Sequence, residues 1–238
     1  MRLSTLVMAL CISTLAAGKL FPVSPLHPSH KDSDRDTVSA VFVGPPSSGK
    51  STLLGHMLTA YTTHDLSSIL HSRNLSSLST LPPAYLLDTL PEEISSNHTV
   101  DIKIHTISTG NTDITLIDTP GRVEYADNMI RGIGMGDMVV IVVSALPGEF
   151  EFVDYRITGI LEDILSTVGG LGKRTLIFAI TSIDHPSIPN PAERYEEVTT
   201  ILDAHLYRMK MRLEGMGIFV PVDPFNNRNI VKKDGGDR

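Results

Sequence analysis

Three fully apolar segments in the second half of the chain constrain the fold most. They are "MVVIVVSA" (138–145), "TLIFAIT" (175–181) and "GIFVPV" (217–222), and stretches with helical spacing separate them at 152–168 and 192–213. A strand without polar residues on either face is buried on both sides. Alternation of such strands with helices predicts an α/β fold, with a mostly parallel sheet covered by helices on both faces.

The first half of the chain supplies three more strands. The β-branched run "TVSAVFV" (37–43) precedes a Gly/Pro/Ser loop and a helix over 51–61, in which Leu53, Leu54, Met57 and Leu58 share one face. "TVDIKIHTIS" (99–108) and "ITLID" (114–118) flank the turn "TGNTD" and predict a hairpin. The complete sheet therefore has six strands, one of them an antiparallel edge strand. For residues 62–96, rich in Ser and Leu without a clear period, we expect short helices.

The loop after the first strand carries a phosphate-binding motif. Gly44 to Ser51, "GPPSSGKS", fits G-x-x-x-x-G-K-[ST]. In this motif backbone N–H groups wrap a phosphate at a helix N-terminus, and the lysine adds a positive charge. An ordinary glycine turn is the alternative, but the preceding strand and following helix favour a P-loop NTPase fold. The predicted binding residues are Gly44, Ser47, Ser48, Gly49, Lys50, Ser51 and Thr52.

A second motif, "LIDTPG" (116–121), predicts a magnesium site beside this loop. The Ser51 hydroxyl is a Mg²⁺ ligand in such loops, Asp118 can hold a magnesium-bound water, and the Gly121 N–H can contact a γ-phosphate. The alternative is a simple Asp-Thr-Pro-Gly turn. In open α/β sheets, ligands bind at the carboxyl ends of the strands. Gly44, Asp118, Thr181 and Asp223 all lie at such ends, so we expect them to converge.

Composition excludes several other functions. The 238 residues carry a net charge of −7, contain no Trp and are 5% aromatic, which argues against a direct nucleic-acid partner. The nine His residues show no zinc-binding spacing, and no G-x-S-x-G marks a serine hydrolase.

The N-terminus has the layout of a secretory signal over residues 1–18. Arg2 precedes an apolar run over 3–17, which ends in the small residues Ala16, Ala17 and Gly18. The run is too short for a membrane span. A buried or disordered extension, or a transit peptide, is the alternative. A cleaved signal predicts the secretory pathway or the extracellular space and removes Cys11, the only cysteine; otherwise we expect a cytoplasmic protein. A Pro- and Ser-rich linker follows over 19–37.

Beyond these motifs, the chain resembles the GTP-binding domain of translation factors, above all elongation factor 1-alpha. "GKSTLLGHML", "YLLDTL", "NHTVDI", "DTPGRVEYADNMIRG", "PGEFE", "RYEEV" and "FVPVDPFNNRNI" are similar to segments of that family in the same order. The resemblance implies a translation-factor G domain over 38–230, with a flexible tail over 231–238. The family's two tRNA-binding domains are not matched, so we expect no activity in translation.

The resemblance implies roles for matching residues. Thr99 takes the place of the first-switch threonine, which ligates Mg²⁺ and senses the γ-phosphate. Asp118 and Gly121 match the second switch, and Asp184 matches the acidic residue that pairs with guanine. GTP, GDP and Mg²⁺ are therefore the implied cofactors, and a protein partner would bind through the switch regions.

The guanine-reading motif departs from the family pattern N-K-x-D. Here it is "TSID", so Thr181 replaces the Asn that braces the loop and the base, and Ser182 replaces the Lys that packs on the purine. Asp223 stands where the family has a serine, and an ionised carboxylate cannot donate a hydrogen bond. We expect weakened guanine specificity.

The hydrolytic machinery departs as well. Arg122 replaces the family's water-orienting His, and Ser47 replaces an acidic residue of the phosphate loop. An arginine stays protonated and cannot act as a base, so we expect slow GTP hydrolysis that depends on Lys50, Gly121 and Arg122. The alternative is a pseudo-GTPase, secreted or otherwise repurposed, that acts as a non-enzymatic interaction module.

Two sequons bear on the same question. Asn74 and Asn97 each fit N-x-[ST] and are glycan acceptors if the chain enters the secretory pathway. A glycan on Asn97 would lie beside Thr99 and conflict with nucleotide-driven closure there.

Overall fold

The apolar segments pair as the central strands of one sheet. In the computed structural model, the described residues form strands β1 (Asp36–Val43), β2 (Lys103–Thr109), β3 (Thr112–Asp118), β4 (Met138–Ser144), β5 (Leu176–Thr181) and β6 (Ile218–Pro221). Their spatial order is β2-β3-β1-β4-β5-β6. All neighbours are parallel except the edge hairpin of β2 and β3. The predicted mostly parallel, six-stranded sheet with one antiparallel edge is therefore confirmed.

The structure describes residues 36–61, 83–87, 90–96, 98–109, 112–153, 159–173, 175–209, 218–223 and 229. The predicted signal segment, nearly all of the linker, both sequon asparagines and the tail lie outside these residues. β1 begins at Asp36, so the last two residues of the predicted linker, 36 and 37, belong to the strand.

Helices cover both faces of the sheet. They are α1 (Lys50–Tyr61), α2 (Pro91–Ser96), α3 (Ala126–Met135), α4 (Glu149–Val153), α5 (Ile160–Gly170) and α6 (Pro191–Arg208) within the described residues. α1 packs on one face through its buried side chains, against a cluster that includes Phe42 and Val140. α3, α5 and α6 pack on the other face, against Val41 and Phe178. Successive residues of a strand point to opposite faces, so β1 contributes to both cores.

Three predicted elements have different bounds in the structure. The helix expected over 192–213 runs from Pro191 to Arg208, with Met209 as its C-cap. The strand expected from residue 99 begins only at Lys103, because Thr99 and the residues after it make contacts with helices and the phosphate loop instead of the sheet. The single helix expected over 152–168 is interrupted. Gly159 has φ +67°, a left-handed conformation that cannot continue a helix, and α5 begins after it.

The sheet places the candidate residues at the carboxyl ends of its parallel strands. β1 and β3 are parallel, and Phe42 lies opposite Asp118 in their register. The chain therefore leaves β1 for the phosphate loop beside the end of β3. Thr181 ends β5 at the same edge, two strands away.

Among the helices that the structure describes, none has the length and apolar character needed to span a bilayer.

We expect Phe178→Ala to destabilise the fold. Phe178 is fully buried and stacks on Phe219 with ring centroids 5.1 Å apart. Truncating such a side chain leaves a cavity and costs about 3–5 kcal/mol in the free energy of unfolding. Chemical denaturation measures this, with Tyr207→Ala as a control because Tyr207 is 86% exposed. Equal midpoints for the two variants would contradict the described core.

Candidate functional site

The loop between β1 and α1 adopts a conformation that depends on its glycines. Gly49 has φ +90° and Ser47 has φ +61°, so the chain folds back on itself before α1 begins at Lys50. A Cβ on Gly44 would collide with the carbonyl oxygen of Val142 on β4. Glycine at 44 therefore lets the loop lie directly on the end of the sheet.

Lys50 is buried beneath this loop. Its Nζ donates to the carbonyl oxygens of Gly44 at 3.1 Å and Pro45 at 2.9 Å. Burial lowers the pKa of Lys50 to about 8, and the nearby Asp118 carboxylate offsets this only in part. An anion bound nearby would therefore stabilise the charged form of Lys50, because its negative charge compensates for the water that burial removes.

Three predicted metal-binding residues meet at the Ser51 hydroxyl. Ser51 Oγ donates to Asp118 Oδ2 at 2.8 Å and lies 3.0 Å from Thr99 Oγ1. These groups come from α1, the end of β3 and the loop before β2, and Asp118 and Thr99 are buried. Mg²⁺ binds oxygen ligands, usually one or two from protein carboxylates together with substrate phosphates and water. Two hydroxyls and one carboxylate fit that requirement.

Gly121 brings the second motif against the phosphate loop. A Cβ at this position would lie 2.5 Å from Lys50 Nζ, 2.8 Å from Gly44 O and 2.9 Å from Pro45 O. Any larger residue would push this segment away. The sequence places glycine where the two predicted phosphate-binding segments touch.

A cleft of about 230 Å³ opens between these segments. Pockets that enclose a whole small ligand are typically about 300–1,000 Å³, so this cleft matches the phosphate and metal end of a nucleotide. It is lined by Pro46, Ser47, Gly49, Lys50, Ser51, Thr52, Ala84, His98, Thr99, Gly121 and Arg122.

The lining separates the predicted residues into two groups. Most of the phosphate and metal residues line the cleft, and Gly44 and Asp118 bind side chains that do, but Ser48 does not line it. Thr181, Asp184 and Asp223, expected to read the base, do not line it either. Asp184 is exposed after β5, and Asp223 follows β6 at the same edge of the sheet.

His98 is a cleft residue that the motifs did not identify. It lies beside Arg122, which is exposed. Burial and the positive charge of Arg122 lower the pKa of His98 below its usual value, and Glu124 opposes them. The imidazole is therefore favoured in its neutral form. Its neighbour Thr99 was the only sequence signal that pointed to this position.

Thr181 contacts the phosphate loop. The loss of the family's Asn predicts the loss of an amide that braces the loop and the base. The buried Thr181 hydroxyl lies 2.8 Å from the Ser48 carbonyl oxygen, to which it can donate, and 3.2 Å from Val143 O. A Cβ built on Gly49 would lie 3.6 Å from Thr181 Cγ2, an ordinary van der Waals distance, so the loop packs directly on this side chain.

We expect nucleotide affinity to fall as pH rises through about 8. Phosphate binding needs the charged form of Lys50, and its pKa of about 8 means that the ammonium is lost on the alkaline side. Between pH 7 and pH 9 the protonated fraction of the unliganded site falls about tenfold, and the affinity should follow. A fluorescent GDP analogue titrated across this range measures the effect. Constant affinity up to pH 9 would show that the lysine keeps an ordinary pKa.

Known relatives share this part of the chain. The sequence is 28% identical to elongation factor 1-alpha from Hyperthermus butylicus over 199 residues, which cover 82% of this chain and 45% of the relative. It is 29% identical to elongation factor 1-alpha from Xenopus laevis over 197 residues, covering 81% and 42%. The chain therefore spans less than half the length of these relatives.

Solved structures show the same fold. The S. cerevisiae Ski7 GTPase-like domain, bound to GDP and inorganic phosphate, matches with a TM-score of 0.64 at 21% identity, over 84% of this chain and 47% of that one. Sup35 complexed with GDP matches with a TM-score of 0.57 at 21% identity, over 85% and 41%. At these identities the likeness concerns the fold.

The family assignment comes from the sequence itself. The model of the elongation factor Tu GTP binding domain matches residues 35–231. This range includes every strand of the sheet and every residue of the cleft, and it confirms both the resemblance to translation factors and the P-loop NTPase fold. The chain belongs to the elongation factor Tu GTP-binding-domain family.

Proposed function

We propose that this protein binds GTP and GDP with Mg²⁺ and hydrolyses GTP slowly. The observation that carries the proposal is the contact of the Ser51 hydroxyl with both Asp118 and Thr99, directly beside the phosphate loop. Two hydroxyls and a carboxylate in this position are the ligand types that Mg²⁺ takes beside a nucleotide phosphate. Two similar structures, the Ski7 GTPase-like domain bound to GDP and inorganic phosphate and Sup35 complexed with GDP, support the same ligand class.

Binding of the phosphates falls to the loop and its lysine. The first backbone N–H groups of a helix have no acceptor within it, and the helix dipole favours an anion there, so the start of α1 at Lys50 is suited to a phosphate. Lys50 supplies a full positive charge from a buried position, where electrostatic attraction is stronger than in water. Ser51, Thr99 and Asp118 are the residues that would hold Mg²⁺. When bound, the ion would supply positive charge that stabilises the negative charge of the phosphates.

Hydrolysis is the weaker half of the proposed activity. Gly121 lies against Lys50 and the phosphate loop, and its backbone N–H is the group proposed to contact a γ-phosphate. Arg122 follows it and can stabilise negative charge but cannot accept a proton from water. Loss of a positioned proton acceptor costs about 10²–10⁴-fold in rate. The proposed enzyme is therefore slow unless another group accepts the proton.

Base selection is also reduced. The Thr181 hydroxyl contacts the carbonyl oxygens of Ser48 and Val143 and so binds the phosphate loop instead of the base. Asp184 is left as the residue available to pair with guanine. One carboxylate still favours guanine over adenine, but by less than a complete N-K-x-D motif.

A second candidate function is that of a non-enzymatic interaction module. The segment after Gly121 exposes apolar side chains that a partner could cover: Val123 is 70% exposed and Ile130 is 41% exposed. Together with Arg122 in place of a histidine, this favours a domain that keeps the fold and acts through the switch surface. A secreted location, proposed from the N-terminal segment, would suit this function better than GTP hydrolysis.

We expect Lys50→Ala to abolish nucleotide binding. The substitution removes the buried charge on which phosphate binding depends. Fluorescent GDP, GTP and ATP analogues, titrated with and without Mg²⁺, measure affinity and base preference together.

Lys173→Ala is the matched control for this experiment. Lys173 is also buried and also donates to two backbone carbonyls, those of Gly134 and Gly136. These residues lie at the amino ends of the parallel strands, opposite the cleft. It should lose stability but keep nucleotide affinity. Unchanged binding in Lys50→Ala, or an equal loss in both variants, would refute a phosphate site at this loop.

We expect Arg122→His to accelerate GTP hydrolysis. A neutral imidazole at this position can orient the attacking water, which arginine cannot, and the gain should be about 10²-fold or more. Single-turnover hydrolysis under saturating protein separates this step from product release. Arg131→Ala, an exposed substitution on α3, is the control. If Arg122→His binds GTP but hydrolyses it no faster than the wild type, the interaction module becomes the better description.

A further inference from the structure

Thr99 reaches the site from a segment that lies outside the sheet. The segment of residues 98–102 connects α2 to β2, and Thr99 itself is buried against Ser51. A loop of this kind needs other contacts to hold one hydroxyl within hydrogen-bond distance of another. Besides the bond from the His98 N–H to the Glu93 carbonyl oxygen at 3.3 Å, the described residues show two side-chain contacts at the residue that follows Thr99.

The first contact comes from Glu93 on α2, a fully buried carboxylate. Its Oε1 accepts from the backbone N–H of Val100 at 3.1 Å and of Asp101 at 3.4 Å. Its Oε2 accepts from the N–H of Leu90 at 3.1 Å and pairs with Lys103 Nζ at 2.9 Å. One side chain therefore joins the start of α2, the Thr99 segment and the first residue of β2.

The second contact comes from Asn128 on α3. Its Nδ2 donates to the carbonyl oxygen of Val100 at 3.0 Å. The N–H and the C=O of Val100 are thus held by side chains of two different helices. α3 directly follows the segment that carries Gly121 and Arg122, so the two sides of the cleft are connected through Val100.

The carboxylate of Glu93 is suited to this task. Burial alone would raise its pKa, but the hydrogen bonds from Lys103, Val100 and Leu90 outweigh that effect and the pKa is lowered. It is therefore ionised at neutral pH. Charge-assisted hydrogen bonds to backbone N–H groups are stronger than neutral ones, and the contact is not exposed to competing water.

We propose that Glu93 and Asn128 are positioning residues that clamp Val100 and thereby hold Thr99 as a ligand for the metal ion. The proposal rests on the proposed Mg²⁺-dependent nucleotide binding. Neither residue touches the cleft, and neither belongs to a nucleotide-binding motif. Their effect passes through one peptide unit to the Thr99 hydroxyl, as outer contacts orient ligands in other metal sites.

The test compares Glu93→Gln and Asn128→Ala with Glu92→Gln in the full chain. Glu92 is the exposed neighbour of Glu93 on α2, so Glu92→Gln removes the same charge from the same helix without changing the clamp. The readout is the affinity for a fluorescent GTP analogue, measured both in Mg²⁺ and in EDTA. Lys50 and the phosphate loop are unchanged in all three variants.

We expect both clamp variants to lose about tenfold or more of their affinity in Mg²⁺, as removal of outer-shell partners does in metal sites. Affinity in EDTA should stay within about twofold of the wild type, because the phosphate loop does not need Thr99. Affinity in Mg²⁺ equal to that of Glu92→Gln would overturn the proposal. An equal loss in Mg²⁺ and in EDTA would also overturn it, since that pattern indicates a general structural role. Asn128→Ala keeps the test decisive if Glu93→Gln does not fold.

Amide hydrogen exchange separates this proposal from the proposed function. If the wild type binds no nucleotide, the proposed function fails, and the metal-positioning role fails with it. The clamp itself is still tested by the Val100 and Asp101 amides, whose exchange should be faster in Glu93→Gln than in Glu92→Gln. Equal exchange in the two variants would show that the clamp does not hold the segment.

Discussion

The hydrogen bond between the Ser51 hydroxyl and the Asp118 carboxylate depends on the whole sheet, and the candidate site depends on it. Ser51 lies in the first turn of α1 and Asp118 ends β3. They meet because β1 and β3 are parallel neighbours, with Phe42 opposite Asp118. A shift of one residue in that register would turn Asp118 to the other face of the sheet. The apolar cores on both faces, which fix this register, therefore also fix the distance between two predicted metal ligands.

The sequence predicted those parts of the structure that local pattern determines. A fully apolar run such as β4 is buried on both faces of a sheet, and the phosphate loop has a fixed residue spacing. Both elements could therefore be predicted from the sequence. The start of β2 was placed at Thr99 because "TVDIKIHTIS" alternates cleanly. The alternation describes which side chains are apolar, but the backbone N–H of Val100 binds Glu93 instead of a neighbouring strand. A buried carboxylate and a neighbouring strand compete for this N–H group, and the local sequence does not show which of them binds it.

Thr181 and Glu93 show the same limit at the site. From the family pattern, Thr181 predicts the loss of the bracing contact that asparagine makes, since the threonine side chain is shorter. Whether a shorter side chain still reaches the loop is a question of tertiary distance, and the structure answers it through the contact with Ser48. Glu93 reads as one of two adjacent glutamates on a short helix. Only the fold shows that Glu93 is buried with four donors while Glu92 faces solvent.

The two carbonyl contacts of Lys50 give the phosphate loop an internal competitor. The ammonium already donates to Gly44 O and Pro45 O, so an anion gains only the difference between its own attraction and the bonds it displaces. Both contacts already involve the charged ammonium, but a full negative charge attracts it more strongly than a carbonyl dipole does. The advantage of an anion over the two carbonyl oxygens therefore grows with the number of charges that the anion carries.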